Sequence, residues 1–97
     1  MSLNRYDKRR DANEAEIIAG LRQVHAEVRQ FDRPVDLCVG WAQRWTWLEV
    51  KDPAKPPSER RLTKGEAEFM AICHALGLPA AVVLTVEDAL QAIGAIA

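Results

Sequence analysis

Val35–Lys51, reading V-D-L-C-V-G-W-A-Q-R-W-T-W-L-E-V-K, holds two short runs rich in β-branched and aromatic residues on either side of a turn near Gly40 to Arg44. Runs of this length and composition read as the two strands of a hairpin. A turn of two or four residues sets one and the same register, in which Gly40 faces Trp45 and Asp36 faces Glu49. Directly opposed residues have Cβ atoms only ~4.5–5.5 Å apart, and like charges there are destabilising. Residues two apart share a strand face, so Lys51 points the same way as Glu49. Two carboxylates beside one ammonium make a poor structural choice, but a good cradle for a divalent cation with a phosphate next to it.

Upstream of the hairpin, Asp11-Ala12-Asn13-Glu14 has the form of a capping box, an Asp N-cap with Glu three residues later. Ile17, Leu21, Val24 and Val28 then recur at helical spacing, with Ile18 alongside, and predict a helix over about residues 12–25. Val28 to Phe31 alternates and reads as a first short strand, and Asp32-Arg33-Pro34 as a turn. Downstream, Asp52 to Arg61 carries three of the five prolines and is a loop. Thr63-Lys64-Gly65-Glu66 is a second capping box, opening a helix through Phe69, Met70, Cys73 and Leu76, with Gly77 at its C′ position and Pro79 beyond. Ala80 to Leu84, short and Val-rich, predicts a strand buried on both faces. Thr85-Val86-Glu87-Asp88 starts a last helix ending near Ile96. The element order is α-β-β-β-α-β-α. The strand ending at Lys51, the helix after it and the strand from Ala80 form a β-α-β crossover, which makes those two strands parallel. The class is therefore α/β, with a mixed sheet flanked by helices.

Ninety-seven residues suit one domain, spanning 1–97, with the polar residues 1–10 loose at its start. No apolar run approaches the ~20 residues of a membrane span, and the N-terminus lacks the apolar core of a signal peptide. The two cysteines, Cys38 and Cys73, fit neither a zinc spacing nor a disulfide framework, which points to a reducing cytoplasm. The net charge of −1 does not by itself indicate nucleic acid. The basic residues cluster, however, at Lys8-Arg9-Arg10 and from Lys55 to Lys64, permitting a local phosphate-binding face. Trp41, Trp45 and Trp47 suit base stacking in principle, but packing within the hairpin or against a second copy is the preferred reading. Solitary His25 and His74 carry no catalytic expectation, and Cys38 reads as a small buried apolar side chain.

Taken in order, N-E-A-E-I-I, V-D-L-C-V-G, L-E-V-K-D, L-T-K-G-E-A-E-F and G-L-P-A-A-V-V-L followed by T-V-E-D-A-L span roughly residues 11 to 92. In this sequence of pieces the chain resembles the PD-(D/E)xK nuclease superfamily, most of all small phage and bacterial proteins of the VRR-NUC type, with a more distant likeness to archaeal Holliday-junction resolvases. The resemblance implies a restriction-endonuclease-like core and metal-dependent hydrolysis of DNA phosphodiesters, including branched DNA such as Holliday junctions. It implies Asp36, Glu49, the Val50 backbone carbonyl and Glu14 as ligands of Mg²⁺, for which Mn²⁺ substitutes. Lys51 then orients or activates the attacking water and neutralises charge on the phosphate. Lys55, Arg60, Arg61 and Lys64 become candidates for nucleic-acid contact, and Glu66 a further candidate where the family often has Gln. For Glu14 and Glu66 the capping boxes supply a competing, purely structural use. A symmetric substrate suits a homodimer, and a phage or bacterial protein partner is a further expectation. Pro34 stands one residue earlier than the family's Pro-Asp pair, in P-V-D. That departure motivates an alternative, a catalytically silent nuclease fold that binds nucleic acid or assembles a complex.

Overall fold

A computed structural model describes residues 10–97 of the chain. The expectation of a loose start falls, except for Arg10, outside these residues. Among the described residues the order is α1 (Glu14–Gln23), β1 (Glu27–Gln30), β2 (Leu37–Trp41), β3 (Arg44–Val50), α2 (Lys64–Ala75), β4 (Ala80–Val83) and α3 (Val86–Ile93), with one 3₁₀ turn at Pro57–Glu59 in the proline-rich loop. The strands form a mixed sheet in the order β1-β2-β3-β4. β1 and β3 each pair antiparallel with β2, and β4 runs parallel to β3. This is the α/β, α-β-β-β-α-β-α arrangement of a restriction-endonuclease-like core.

The hairpin register is the expected one. Gly40 pairs with Trp45, and Leu37 with Leu48, so one further step sets Asp36 against Glu49. The neighbouring ladder extends the same way, because the Phe31 N–H donates to the Asp36 carbonyl at 2.8 Å. The turn uses two residues, Ala42 and Gln43, both at positive φ (53° and 68°). Positive φ at both central residues matches the right-handed twist of the strands it joins.

Strand alternation sends Val28, Leu37, Val39, Leu48, Val50 and Val83 to one face, where Ile17, Ile18 and Leu21 of α1 and Ala89 and Ile93 of α3 cover them. The other face is covered only in part, by α2. Val82 there is 39% exposed, so β4 is not buried on both faces as its composition suggests. Helix α1 and α3 approach closely: a Cβ added at Gly20 would collide with Val86 Cγ1. Val86 is β-branched and stiff at χ1, so it cannot readily turn away. Gly20→Ala, worth about 1 kcal/mol of gain in an exposed helix, is therefore expected to cost about 1–3 kcal/mol here by overpacking. It should appear as an earlier urea midpoint at unchanged m-value. A variant as stable as the parent would show the α1–α3 contact to be slack.

The three helices end alike. In α2 the Leu78 N–H reaches the Cys73 carbonyl and in α3 the Ala95 N–H reaches that of Leu90, with Gly77 and Gly94 at positive φ. In α1 the left-handed residue is His25, at φ 66°, and the Ala26 N–H bonds the Leu21 carbonyl. These are Schellman closures. The one in α1 lacks a glycine, yet the helix end and the strand start at Glu27 fall within two residues of the expected ones. The last helix stops at Ile93, before the expected Ile96, for the reason Gly94 supplies.

Candidate active site at the end of the hairpin

Strand β3 leaves the sheet at Val50 and places Glu49 and Lys51 at its end. The loop entering β2 places Asp36 beside them, and the first turn of α1 brings Glu14. These three carboxylates are almost wholly buried, with Glu14 2%, Asp36 3% and Glu49 2% exposed. Asp36 Oδ2 accepts the Val50 N–H at 2.8 Å. In an extended strand a residue's N–H and C=O point to the same neighbour, so the Val50 carbonyl is directed to the Asp36 side.

Among the described residues, two cations are distributed among these groups. Lys51 Nζ lies 3.3 Å from Glu49 Oε2 and 3.0 Å from Glu66 Oε1. Arg10 Nη1 lies 3.2 Å from Glu14 Oε2 and 3.5 Å from Asp36 Oδ1. Gln30 Nε2 donates to Glu14 Oε2 at 3.0 Å. Asn13 Nδ2 donates both to the Lys51 carbonyl at 3.0 Å and to the Leu84 carbonyl at 2.8 Å. It thereby ties the start of α1 to the ends of β3 and β4.

The capping box expected at Asp11–Glu14 does not form. The N-cap is Asn13, without a side-chain cap bond, and Asp11 instead pairs with Lys55. Glu14 sits in the first helical turn with its side chain against Arg10 and Gln30 rather than in the expected cap. The second box does form: the Glu66 N–H donates to Thr63 Oγ1 and the Thr63 N–H to Glu66 Oε1. Glu66 also holds Lys51, so one carboxylate serves cap and site together.

Burial acts to lower the Lys51 pKa, but the hydrogen bond to Glu66 and the charges of Glu49 and Glu66 outweigh it and raise it. Lys51 is therefore held as an ammonium between Glu49 and Glu66. For Glu66, burial acts upward, while the Thr63 N–H, Lys51 and the hydrogen bond shared with Glu49 bring its pKa down. The charge of Glu66 thus stabilises the fold above the ordinary value of 4.5, and this is lost as pH falls through the lower folded value. Lys51 contributes below its ordinary 10.5, and that is lost as pH rises through its raised folded value. Glu66→Gln keeps an oxygen for the Thr63 N–H and removes the charge. The parent should exceed it by about 1–2 kcal/mol at neutral pH, with the gap closing in acid and again in strong base. Unfolding midpoints across pH check this, and a gap unchanged into acid would exclude the charge as its origin.

Of the basic candidates, Lys55 is engaged by Asp11, Arg60 is half-buried with its Nε lacking a hydrogen-bond partner, and Arg61 and Lys64 are exposed. An open cleft of about 610 Å³ lies between Asp32-Arg33-Pro34 and the first turn of α2, at Thr63, Gly65 and Glu66. It reaches the site through Glu66. Trp41 donates its indole N–H to the Val24 carbonyl at 3.1 Å. Trp47 is held between Phe31 and Phe69, with ring centroids 5.5 and 5.3 Å away. Trp45, by contrast, is 52% exposed and lies over Gly40. Trp41 and Trp47 thus pack against neighbouring elements of the domain, and the contact within the hairpin itself is that of Trp45 with its cross-strand partner Gly40. Cys38 and Cys73 are free, and burial pushes the Cys38 thiol up, leaving it an apolar filler. The sequence reading missed Arg10 and Gln30. Arg10 stands four residues before Glu14, the spacing of a helical ion pair, and that was its available signal.

As placed, among the described residues no three His, Cys, Asp or Glu side chains are gathered closely enough to hold a metal ion. The donor chemistry nevertheless fits a hard divalent cation: carboxylate oxygens and a backbone carbonyl, with neither imidazole nor thiolate at the cluster. The fold and cluster together define an α/β domain with a carboxylate–lysine centre at the end of a hairpin. Compared with protein-family models, with curated proteins and with solved structures, the chain gives no match. No helix among the described residues is long and apolar enough to cross a membrane.

Proposed function

We propose that this chain is a metal-dependent nuclease hydrolysing DNA phosphodiesters, of the PD-(D/E)xK type its sequence resembles. The observation that carries the reading is the burial of Glu14, Asp36 and Glu49, each at most 3% exposed, with Arg10 bridging the first two and Lys51 paired to the third. Burying carboxylates costs several kcal/mol per ion unless cations compensate; Arg10 and Lys51 compensate here, and the buried negative charge that they hold in place is what a divalent cation would use. Asp36, Glu49, Glu14 and the Val50 carbonyl would hold Mg²⁺ or Mn²⁺. That ion would lower the pKa of a bound water and draw charge from the phosphate. Lys51, kept protonated by Glu49 and Glu66, would orient the water and meet the phosphate's developing charge. The cleft beside Glu66 would admit the substrate backbone, with Arg60, Arg61, Lys64 and Lys55 around it. A homodimer suits a branched, two-fold substrate, and the exposed Trp45, Phe31 and Val82 offer apolar surface for a second copy. The free cysteines suit the cytoplasm of a bacterial or phage-infected cell.

The test is cleavage of four-way junctions, flaps, single strands and duplexes with Mg²⁺, with Mn²⁺ and with chelator. Metal-dependent cutting of any of these supports the reading, and none in either metal sinks it. A second reading, a nuclease fold that binds DNA without cutting, is favoured by Arg10 standing against Glu14 and Asp36. Tight binding of uncut DNA in the same assay would select it.

A further inference from the structure

Arg10 engages more of the site than any residue singled out from the sequence. Its Nη1 lies 3.2 Å from Glu14 Oε2 and 3.5 Å from Asp36 Oδ1, and donates to the Phe31 carbonyl at 3.0 Å. Its Nη2 lies 3.4 Å from Asp32 Oδ1. One guanidinium thus touches carboxylates from α1, from the approach to β2 and from the turn before it. It also faces outward, with its side chain 31% exposed.

We propose that Arg10 is a resident counter-ion of the carboxylate centre, holding Glu14 and Asp36 in the absence of metal and being displaced when a divalent cation binds. The inference rests on the metal reading given above. Three features carry it. Glu14 and Asp36 are nearly fully buried, and Arg10 supplies positive charge that offsets their desolvation. Mg²⁺ requires oxygens at about 2.0–2.1 Å in near-octahedral order, and a guanidinium nitrogen against the same oxygens both takes up that space and repels the ion. Finally, the grip is weak in form. The carboxylate contacts of 3.2–3.5 Å are longer than the ~2.7–2.9 Å of strong charge-assisted pairs, and they are shared among three carboxylates instead of made as a bidentate fork. Arg10 also precedes α1, so its swing outward breaks no helical hydrogen bond. Displacing it subtracts from metal affinity, because the competent state is the fraction with Arg10 withdrawn.

The test is calorimetric titration of Mn²⁺ and Mg²⁺ into the parent, Arg10→Gln, Arg10→Lys and Asp36→Asn at pH 8, with thermal melts in chelator and in metal. Arg10→Gln should melt below the parent in chelator, gain more on adding metal, and bind Mn²⁺ roughly 5- to 100-fold more tightly, the usual span of such couplings. Arg10→Lys should fall between. In the parent, the Arg10 Nη–H signals in a proton–nitrogen spectrum should be slow to exchange without metal and fast with Mg²⁺, a readout that needs no variant. Equal or weaker binding by Arg10→Gln, or an Arg10 signal indifferent to Mg²⁺, would overturn the proposal while leaving the metal site standing. Absence of binding by every protein, parent included, would overturn both.

Discussion

On the proposed nuclease reading, Asp36→Asn should lose metal-dependent cleavage by about 10³-fold or more and yet remain folded. The substitution preserves volume and an oxygen, so the 2.8 Å bond from the Val50 N–H to Oδ2 has a replacement acceptor. What disappears is a full negative charge at a position 3% exposed, where a hard cation would gain most from it. Removing one preorganised electrostatic group from a water-poor site commonly costs 10²–10³-fold, and losing a metal ligand more. Arg10 would lose one of its carboxylates, so a modest fall in melting temperature is expected beside the catalytic loss. Single-turnover cutting in Mg²⁺, with the unfolding midpoint measured on the same sample, separates the two. Should the folded variant cut at the parent's rate, Asp36 has no part in the chemistry and the binding-only reading gains.

Asn13→Asp should be the most damaging single-atom change to stability near the site. Its Nδ2 donates to two carbonyls, Lys51 at 3.0 Å and Leu84 at 2.8 Å, whereas a carboxylate oxygen in that place accepts and repels both. Asp serves as well as Asn at an N-cap, so the helix start is not what suffers. Each partly buried carbonyl left without its donor costs about 1–3 kcal/mol, and a loss of about 3 kcal/mol overall is expected in urea unfolding. A loss under about 1 kcal/mol would mean that water replaces the amide without penalty.

Much of the fold was legible because short-range signals agreed with the tertiary outcome. The register followed from a turn whose two admissible lengths give the same pairing, and Thr63–Glu66 is a capping box both in pattern and in fact. Asp11–Glu14 carries the same local pattern and does not form one. The difference lies in Arg10 and Gln30: Gln30 stands on the expected first strand, but local sequence does not say that its side chain reaches Glu14. The end of α1 was read to within two residues although His25, a left-handed residue without glycine, leaves no compositional mark. Val82 looked like a core residue because β-branched composition reports strand preference and says nothing of whether a helix lies over that face. The candidate site was legible as a set of residues. Its electrostatic state, with Lys51 clamped between two glutamates and Arg10 against Glu14 and Asp36, was not, because that depends on which oxygens end up within reach of which nitrogens.

The shared register of core and cluster has a further consequence for how much change this domain tolerates. Leu48 and Val50 point into the packed face while Glu49 points out of it, so a slip of one residue along β2 would expose the first two and drive the carboxylate inward. Substitutions in the Ala42–Gln43 turn can therefore weaken the hairpin but cannot gradually re-aim Asp36 and Glu49. The alignment of the two carboxylates is inherited from the packing of their apolar neighbours, and it fails only when that packing fails.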